Sequence, residues 1–236
     1  MSANEQSERK ALLLQELRSQ YKLQKVSLPL GGETFALHLV EDVDRLLDDL
    51  LAKGETHEDV LDERIPYWAE LWPSAIAMAE YILESDEFGP QTNVLEIGCG
   101  LGLSGVVAGR KGAKVTLSDY LSDALKMAEL TWVENIEHPA KLMKLDWREI
   151  NPTLTYDWIL AADVAYEERN FAPLLSAFRI LLKPGTKLLL TEPGRAIAQS
   201  FLSDLEKQGF SVLRSSRKVK WKGVESTIGL YILSQT

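Results

Sequence analysis

Residues 94–105 read V-L-E-I-G-C-G-L-G-L-S-G, a short apolar stretch that breaks into glycines. Small residues at such a turn let a ligand approach the backbone closely. Glu96 is a charge inside the apolar stretch, where an unpaired carboxylate is costly, so it either binds a cationic ligand group or pairs within the fold. Asp119 closes the next apolar run. Its two acceptor oxygens can take both hydroxyls of a ribose, and the structural alternative is a cap for the helix that follows. Asp146-Trp147 sets an acceptor beside an aromatic face, which suits an adenine, although Trp147 can equally be a lid over the sheet edge. Asp163 and Tyr166 follow a fourth apolar run, W-I-L-A-A, where a loop cap and a packed ring are the structural alternatives.

Two kinds of cofactor compete for these glycines. Gly100-Leu101-Gly102-Leu103-Ser104-Gly105 satisfies G-x-G-x-x-G, and Asp119 stands 19 positions beyond Gly100, as in a nicotinamide fingerprint. The apolar stretch stops at Ile97, however, so Gly98 is the first glycine of the turn and the third fingerprint position falls on Leu103. A pyrophosphate wants amide N–H groups at a helix start. A sulfonium cofactor instead needs close glycines beside its amino-acid part and an acid for its ribose. A nicotinamide-dependent oxidoreductase therefore stays open as an alternative at this point.

The elements that must position these residues alternate. Strands are expected near 93–97, 114–118, 141–145, 157–161 and 187–191, and helices near 102–110, 121–134, 170–182 and 195–208. Two last strands, 210–221 and 226–234, have no helix between them and should form an antiparallel hairpin. Repeated crossovers require a parallel sheet covered on both faces. Residues 66–236 read as one α/β domain, and residues 1–65 as an N-terminal elaboration. Within the elaboration, 1–8 look like a disordered tip, 9–20 a short helix, and 22–29 with 34–39 a hairpin around Gly31-Gly32. Between 41 and 63, ten acidic residues face only Arg45, Lys53 and His57. That stretch reads as a solvated face, with steering of a basic partner as the other reading. A helix over 74–84 follows the aromatic linker 66–74, with Ser74 as its cap.

Of the 236 residues, 45% are apolar and 26% charged, and the formal charge is −9. This balance gives no general attraction to nucleic acid or to anionic lipid. No apolar run is long enough to span a bilayer and the N-terminus lacks a signal-peptide core, so a cytoplasmic location with no membrane partner is expected; the sequence does not set the oligomeric state, for which a monomer is the default. Cys99 is the single cysteine and reads as a small buried spacer. His38, His57 and His138 have no metal-ligand spacing, so no metal is expected. The basic residues Arg214, Arg217, Lys218, Lys220 and Lys222 read as a solvated strand edge, with a patch for an acidic partner as the alternative.

Taken in order, E-L-W-P-S (70–74), L-E-I-G-C-G-L-G-L-S-G, L-D-W (145–147) and A-A-D-V-A-Y (161–166) resemble class I S-adenosylmethionine-dependent methyltransferases. More narrowly, residues 65–235 resemble the seven-β-strand protein-lysine methyltransferase family, methyltransferase family 16. The resemblance implies a Rossmann-like α/β fold, a seven-stranded, mostly parallel sheet with an antiparallel last strand. It implies S-adenosylmethionine as methyl donor, with S-adenosylhomocysteine as product. Glu96, Gly98, Gly100 and Gly102 would surround the methionine part, Asp119 would bind the ribose and Tyr120 would flank the adenine. Asp146 and Trp147 would meet the adenine amine and ring, Ala162 would line the cofactor, and Trp72 would cover it from the linker. Asp163 and Tyr166 would be the catalytic pair, with Asp163 accepting a hydrogen bond from the target amine. Thr191-Glu192-Pro193-Gly194-Arg195 departs from the pattern of the animal enzymes. Its place after the fifth strand puts it on the substrate side, with Glu192 as a partner for Arg195. The expected acceptor is a nitrogen, in a protein lysine or alternatively in a small molecule. A non-catalytic binding protein that kept the fold is a more distant reading. A groove left by residues 1–65 would admit a protein side chain, and closure would favour a metabolite.

Overall fold

The computed structural model describes residues 3–62 and 64–235. The chain opens with α1 (Ala3–Arg18), then β1 (Leu23–Leu30) and β2 (Glu33–Val40), which pair antiparallel. Helix α1 starts six residues before the expected position, over a stretch read as disordered. The reason is tertiary: Gln6 donates to the carbonyls of Val133 and Ile136, and Arg9 pairs with Glu129. These contacts lie 120 or more positions away in the chain and leave no local signature. Short helices α2 (Val43–Leu51) and α3 (Glu58–Leu61) lead to the aromatic linker.

The main body then alternates: α4 (Pro73–Glu84), β3 (Asn93–Ile97), α5 (Leu103–Arg110), β4 (Lys114–Asp119), α6 (Ser122–Asn135), β5 (Lys141–Lys144), β6 (Trp158–Ala162), α7 (Phe171–Leu181), β7 (Lys187–Glu192), α8 (Ala198–Lys207), β8 (Phe210–Trp221) and β9 (Val224–Gln235). The seven strands are ordered β5-β4-β3-β6-β7-β9-β8. All pairings from β5 to β7 are parallel, and β9 runs antiparallel to both β7 and β8. This is the mostly parallel α/β sheet expected. Its inner strands are buried at nearly every position because helices cover both faces.

One core layer joins the hairpin to the sheet: Leu13, Leu17, Phe35 and Leu37 are fully buried beside Trp132 and Met127 of α6. The other face packs Phe171, Phe178 and Phe201 of α7 and α8 against β6 and β7. Strand order reverses at β3, whose neighbours β4 and β6 lead away in opposite directions, and ligands of such sheets bind beyond the carboxyl ends at that point. Most of the basic residues of β8 and its turn are paired: Arg214 with Glu206, Arg217 with Glu84, Lys218 with Glu225 and Lys222 with Glu70. They form a charge-balanced edge.

Candidate active site

A cavity of about 310 Å³ opens over the carboxyl ends of β3, β4, β5 and β6. Its lining includes Trp72, Glu96, Gly98, Gly100, Gly102, Asp119, Tyr120, Asp146, Trp147, Ala162, Asp163 and Tyr166. Residues scattered over 95 positions of sequence thus share one wall.

The glycine turn positions the first group. Gly98, Gly100 and Gly102 all have positive φ, at 59°, 50° and 73°. At Gly98 a Cβ would stand 3.2 Å from the Trp147 ring and 3.3 Å from Val164 Cγ1, so a side chain there would crowd the cavity wall. Gly105 serves packing rather than the ligand. A Cβ there would meet Leu117 at 2.3 Å and Glu96 Oε2 at 2.7 Å. The last glycine of the literal nicotinamide string therefore seats α5 against the sheet.

Glu96 and Asp119 are buried carboxyl groups, and among the described residues neither forms an ion pair. Glu96 Oε2 accepts from the Gly105 amide at 2.9 Å. Asp119 accepts from the amides of Gly100 (3.1 Å) and Leu121 (3.0 Å) and lines the cavity; it does not cap α6, which starts after Leu121 without a side-chain cap. Burial pushes the Glu96 carboxyl up to about 8 against the pull of the Gly105 amide. Burial likewise raises Asp119 to about 6 against the Leu121 and Gly100 amides. Burial raises the Cys99 thiol well above its ordinary value, as suits a spacer and not a nucleophile.

Asp146 is chelated by Arg148, whose Nε lies 2.9 and 2.8 Å from its two oxygens. Arg148 also reaches Asp62 and lies 5.9 Å from the Tyr120 ring centre. Asp62, Arg148 and Tyr67 line the cavity but carried no pattern in the sequence. Tyr67 stands in a turn whose carbonyl accepts the Trp72 indole N–H at 2.8 Å, and its ring lies 4.8 Å from that of Tyr166. Tyr67, Trp72 and Tyr166 thus form a run of aromatic rings in the cavity wall.

Asp163 has φ 58°, a left-handed conformation unusual for a residue with a side chain. Its amide donates to the Thr191 carbonyl at 2.9 Å, its Oδ2 accepts from Ser74 Oγ at 3.1 Å and its Oδ1 pairs with Arg195. One expectation changes here. Ser74 does not cap α4, which begins at Pro73 after Trp72; its hydroxyl turns to Asp163 instead. Arg195 pairs with Glu192 at 3.6 Å, as expected, and also with Asp163. Among the described residues, no group of three or more His, Cys, Asp or Glu is placed to hold a metal ion, and no helix is long and apolar enough to cross a membrane.

The donor set fits a ligand that carries both an ammonium and vicinal hydroxyls beside a flat base. Glu96 and Asp119, buried and without an ion pair, would suit the first two, and Trp147 and Tyr120 would suit the third. A Rossmann-like sheet with this cavity defines the class I methyltransferase fold. The lysine methyltransferase family model matches residues 61–208, and the chain belongs to that family. It is 34% identical over 129 residues to the protein N-lysine methyltransferase METTL21A of Xenopus tropicalis, covering 52% of this chain and 59% of that protein. Over 141 residues it is 33% identical to the histone-arginine methyltransferase METTL23 of Rattus norvegicus, covering 55% and 63%. The matches thus span only about three fifths of these relatives' own length. In fold it is similar to magnesium protoporphyrin IX methyltransferase of Synechocystis with bound SAM, at a TM-score of 0.53 and 16% identity, over 96% of this chain and 97% of that one. Family membership removes the nicotinamide reading of the glycine turn.

Proposed function

We propose that this protein transfers a methyl group from S-adenosylmethionine to the side-chain nitrogen of a protein lysine. The observation that carries this reading is that one cavity gathers both kinds of group. Glu96 and Asp119, buried and without an ion pair, and the glycine backbone line it together with Asp163, held by Ser74 and Arg195, and the rings of Tyr67, Trp72 and Tyr166.

When bound, S-adenosylmethionine supplies a methyl on a thioether leaving group, open to displacement by the lone pair of a neutral amine. Glu96 would hold the ammonium of its methionine part, Asp119 its ribose hydroxyls, and Tyr120, Asp146 and Trp147 its adenine. Gly98, Gly100, Gly102, Ala162 and Trp72 would close around it. On the acceptor side a lysine amine, with an ordinary pKa near 10.4, must arrive without its extra proton. The aromatic walls disfavour the charged form by desolvation. Asp163 accepts one N–H and so aims the lone pair, and Tyr166 fixes the amine laterally. Orientation of this kind can supply several kcal/mol of the barrier.

A small-molecule acceptor is the second reading, favoured by one observation: Asp62, Ile65 and the linker residues Tyr67, Trp68 and Trp72 wall the cavity and narrow its approach. Incubation of a cell lysate with methyl-labelled cofactor, followed by mass spectrometry of proteins and metabolites, separates the two. Label in lysine side chains supports the first reading, and label confined to metabolites overturns it. Calorimetry should show binding of S-adenosylmethionine and none of NAD.

A further inference from the structure

The Thr191–Arg195 segment leaves the carboxyl end of β7, and its geometry gives it a task. Glu192, 1% exposed, folds its carboxylate back onto its own turn and accepts from the amides of Gly194 (2.6 Å) and Arg195 (2.9 Å). This fixes where Arg195 leaves the backbone. Its guanidinium then reaches across to Asp163 Oδ1, and Ser74 Oγ holds Oδ2. Thr191 locks the frame, because its Oγ1 donates to the Ser74 carbonyl at 2.9 Å while its own carbonyl accepts the Asp163 amide. Asp163 lines the cavity, and Arg195 stands behind it, outside the lining. The pair comes from the ends of β6 and β7, adjacent strands of the sheet.

We propose that Arg195 is a positioning residue for Asp163, and that the pair makes this site select a neutral amine over a guanidinium. The inference rests on the reading of the cavity as a nitrogen methylation site. A guanidinium acceptor is recognised best by a carboxylate that offers both oxygens in a fork. Here one oxygen already carries a guanidinium and the other a hydroxyl. A second guanidinium would also place a second full positive charge beside Arg195, which already pairs with both Asp163 and Glu192. An amine asks for less. A carboxylate has about four lone-pair sites, two of which are taken, so a single N–H still finds an acceptor. Arginine and lysine acceptors are thus separated by a residue that touches neither.

The test compares the wild type with Arg195→Gln, Arg195→Lys, Asp163→Asn and the Arg195→Gln/Asp163→Asn double variant. Each is incubated with labelled S-adenosylmethionine and a cell lysate, and the protein is then hydrolysed to separate methyl-lysine from methylarginine. The wild type should give methyl-lysine alone. Arg195→Gln should lose about a hundredfold in lysine methylation, the scale of a misplaced reacting group. It should also gain detectable methylarginine, while its affinity for S-adenosylmethionine by calorimetry stays within about twofold. Arg195→Lys should recover part of the rate without the methylarginine. In the Asp163→Asn background the Arg195→Gln change should cost nothing further. Methylarginine from the wild type overturns the proposal, as does an equal Arg195→Gln loss in both backgrounds. A wild type that binds the cofactor and labels no protein instead overturns the protein-acceptor reading. The pair is then checked without turnover: slow rotation of the Arg195 guanidinium by nitrogen-15 NMR should be lost in Asp163→Asn, and unchanged rotation overturns the positioning role.

Discussion

Two buried acidic centres in this protein titrate in opposite directions. At the seam between α6 and the N-terminal elements, Glu134 is held by Lys10 and Lys25, each at 2.8 Å, and by His38 Nε2 at 2.9 Å. Burial alone would raise its pKa, but these hydrogen bonds overcome it and bring the group down to about 2. In the cavity, Glu96 and Asp119 are more deeply buried and are raised to about 8 and about 6. His38 is itself lowered by burial more than Glu134 raises it, so it stays neutral and donates through Nε2. The contrast separates structure from readiness. Glu134 already has its cations and ties α1 and the hairpin to the sheet domain. Among the described residues Glu96 and Asp119 have no such cations, which the proposed cofactor would supply in part through its ammonium.

The sharpest way to break this contrast is to remove one acid from each centre. Asp119→Ala should weaken S-adenosylmethionine binding about tenfold to a hundredfold, the worth of hydrogen bonds to a charged acceptor. The melting temperature of the ligand-free protein should hardly fall. Unchanged affinity in calorimetry would take Asp119 out of the ribose site. Glu134→Gln should do the reverse. It should cost about 1–3 kcal/mol of stability, because Lys10 and Lys25 are partly exposed and can turn to water once the charge is gone. The cofactor affinity should not move. Denaturant unfolding of the two variants side by side reads both outcomes.

A smaller effect appears in the pH dependence. Glu96 is raised in the folded state, so its contribution to stability is complete below about 4.5 and is lost as pH rises through about 8. Glu134 is depressed, so its contribution is present above about 4.5 and is lost as pH falls through about 2. The ligand-free protein should therefore become less stable between pH 5 and 8, and Glu96→Gln should flatten that slope. Binding of the cofactor's ammonium should drive the Glu96 proton off near pH 7. Calorimetry in buffers of different ionisation enthalpy should then show a buffer-dependent heat that vanishes in Glu96→Gln. A wild-type melting temperature flat across that window would refute the buried, protonated Glu96.

What the sequence revealed and what it hid follow from distance along the chain. The β3 turn, Asp119 and the Asp146 and Asp163 loops were legible because each lies at the end of a short apolar run, and the sheet topology brings all such ends to one edge. The terminal hairpin was legible from the missing helix between β8 and β9. The start of α1 was not, since its partners lie on α6. The partners of the functional residues were hidden for the same reason. Ser74 and Asp163 are 89 positions apart, Arg148 and Asp62 are 86 apart, and Arg195 and Asp163 are 32 apart. No periodicity encodes such pairs. Arg148, two residues after Asp146, is the exception a local reading had within reach.

That arginine gives the smallest expected effect and the finest test of the contrast. Arg148 pairs Asp146 and Asp62 at the rim, where it is 45% exposed and they are 30% and 24% exposed. If the rim acids are scaffold, Arg148→Met breaks two half-solvated ion pairs worth at most about 1 kcal/mol each. S-adenosylmethionine affinity should then fall about threefold or less, with the residual loss coming from a looser Tyr120 ring. If instead Asp146 must be free to meet an adenine amine, release from Arg148 should strengthen binding. A gain in affinity would move Asp146 from the paired group of acids to the waiting one, and a loss greater than about thirtyfold would make Arg148 itself a ligand contact.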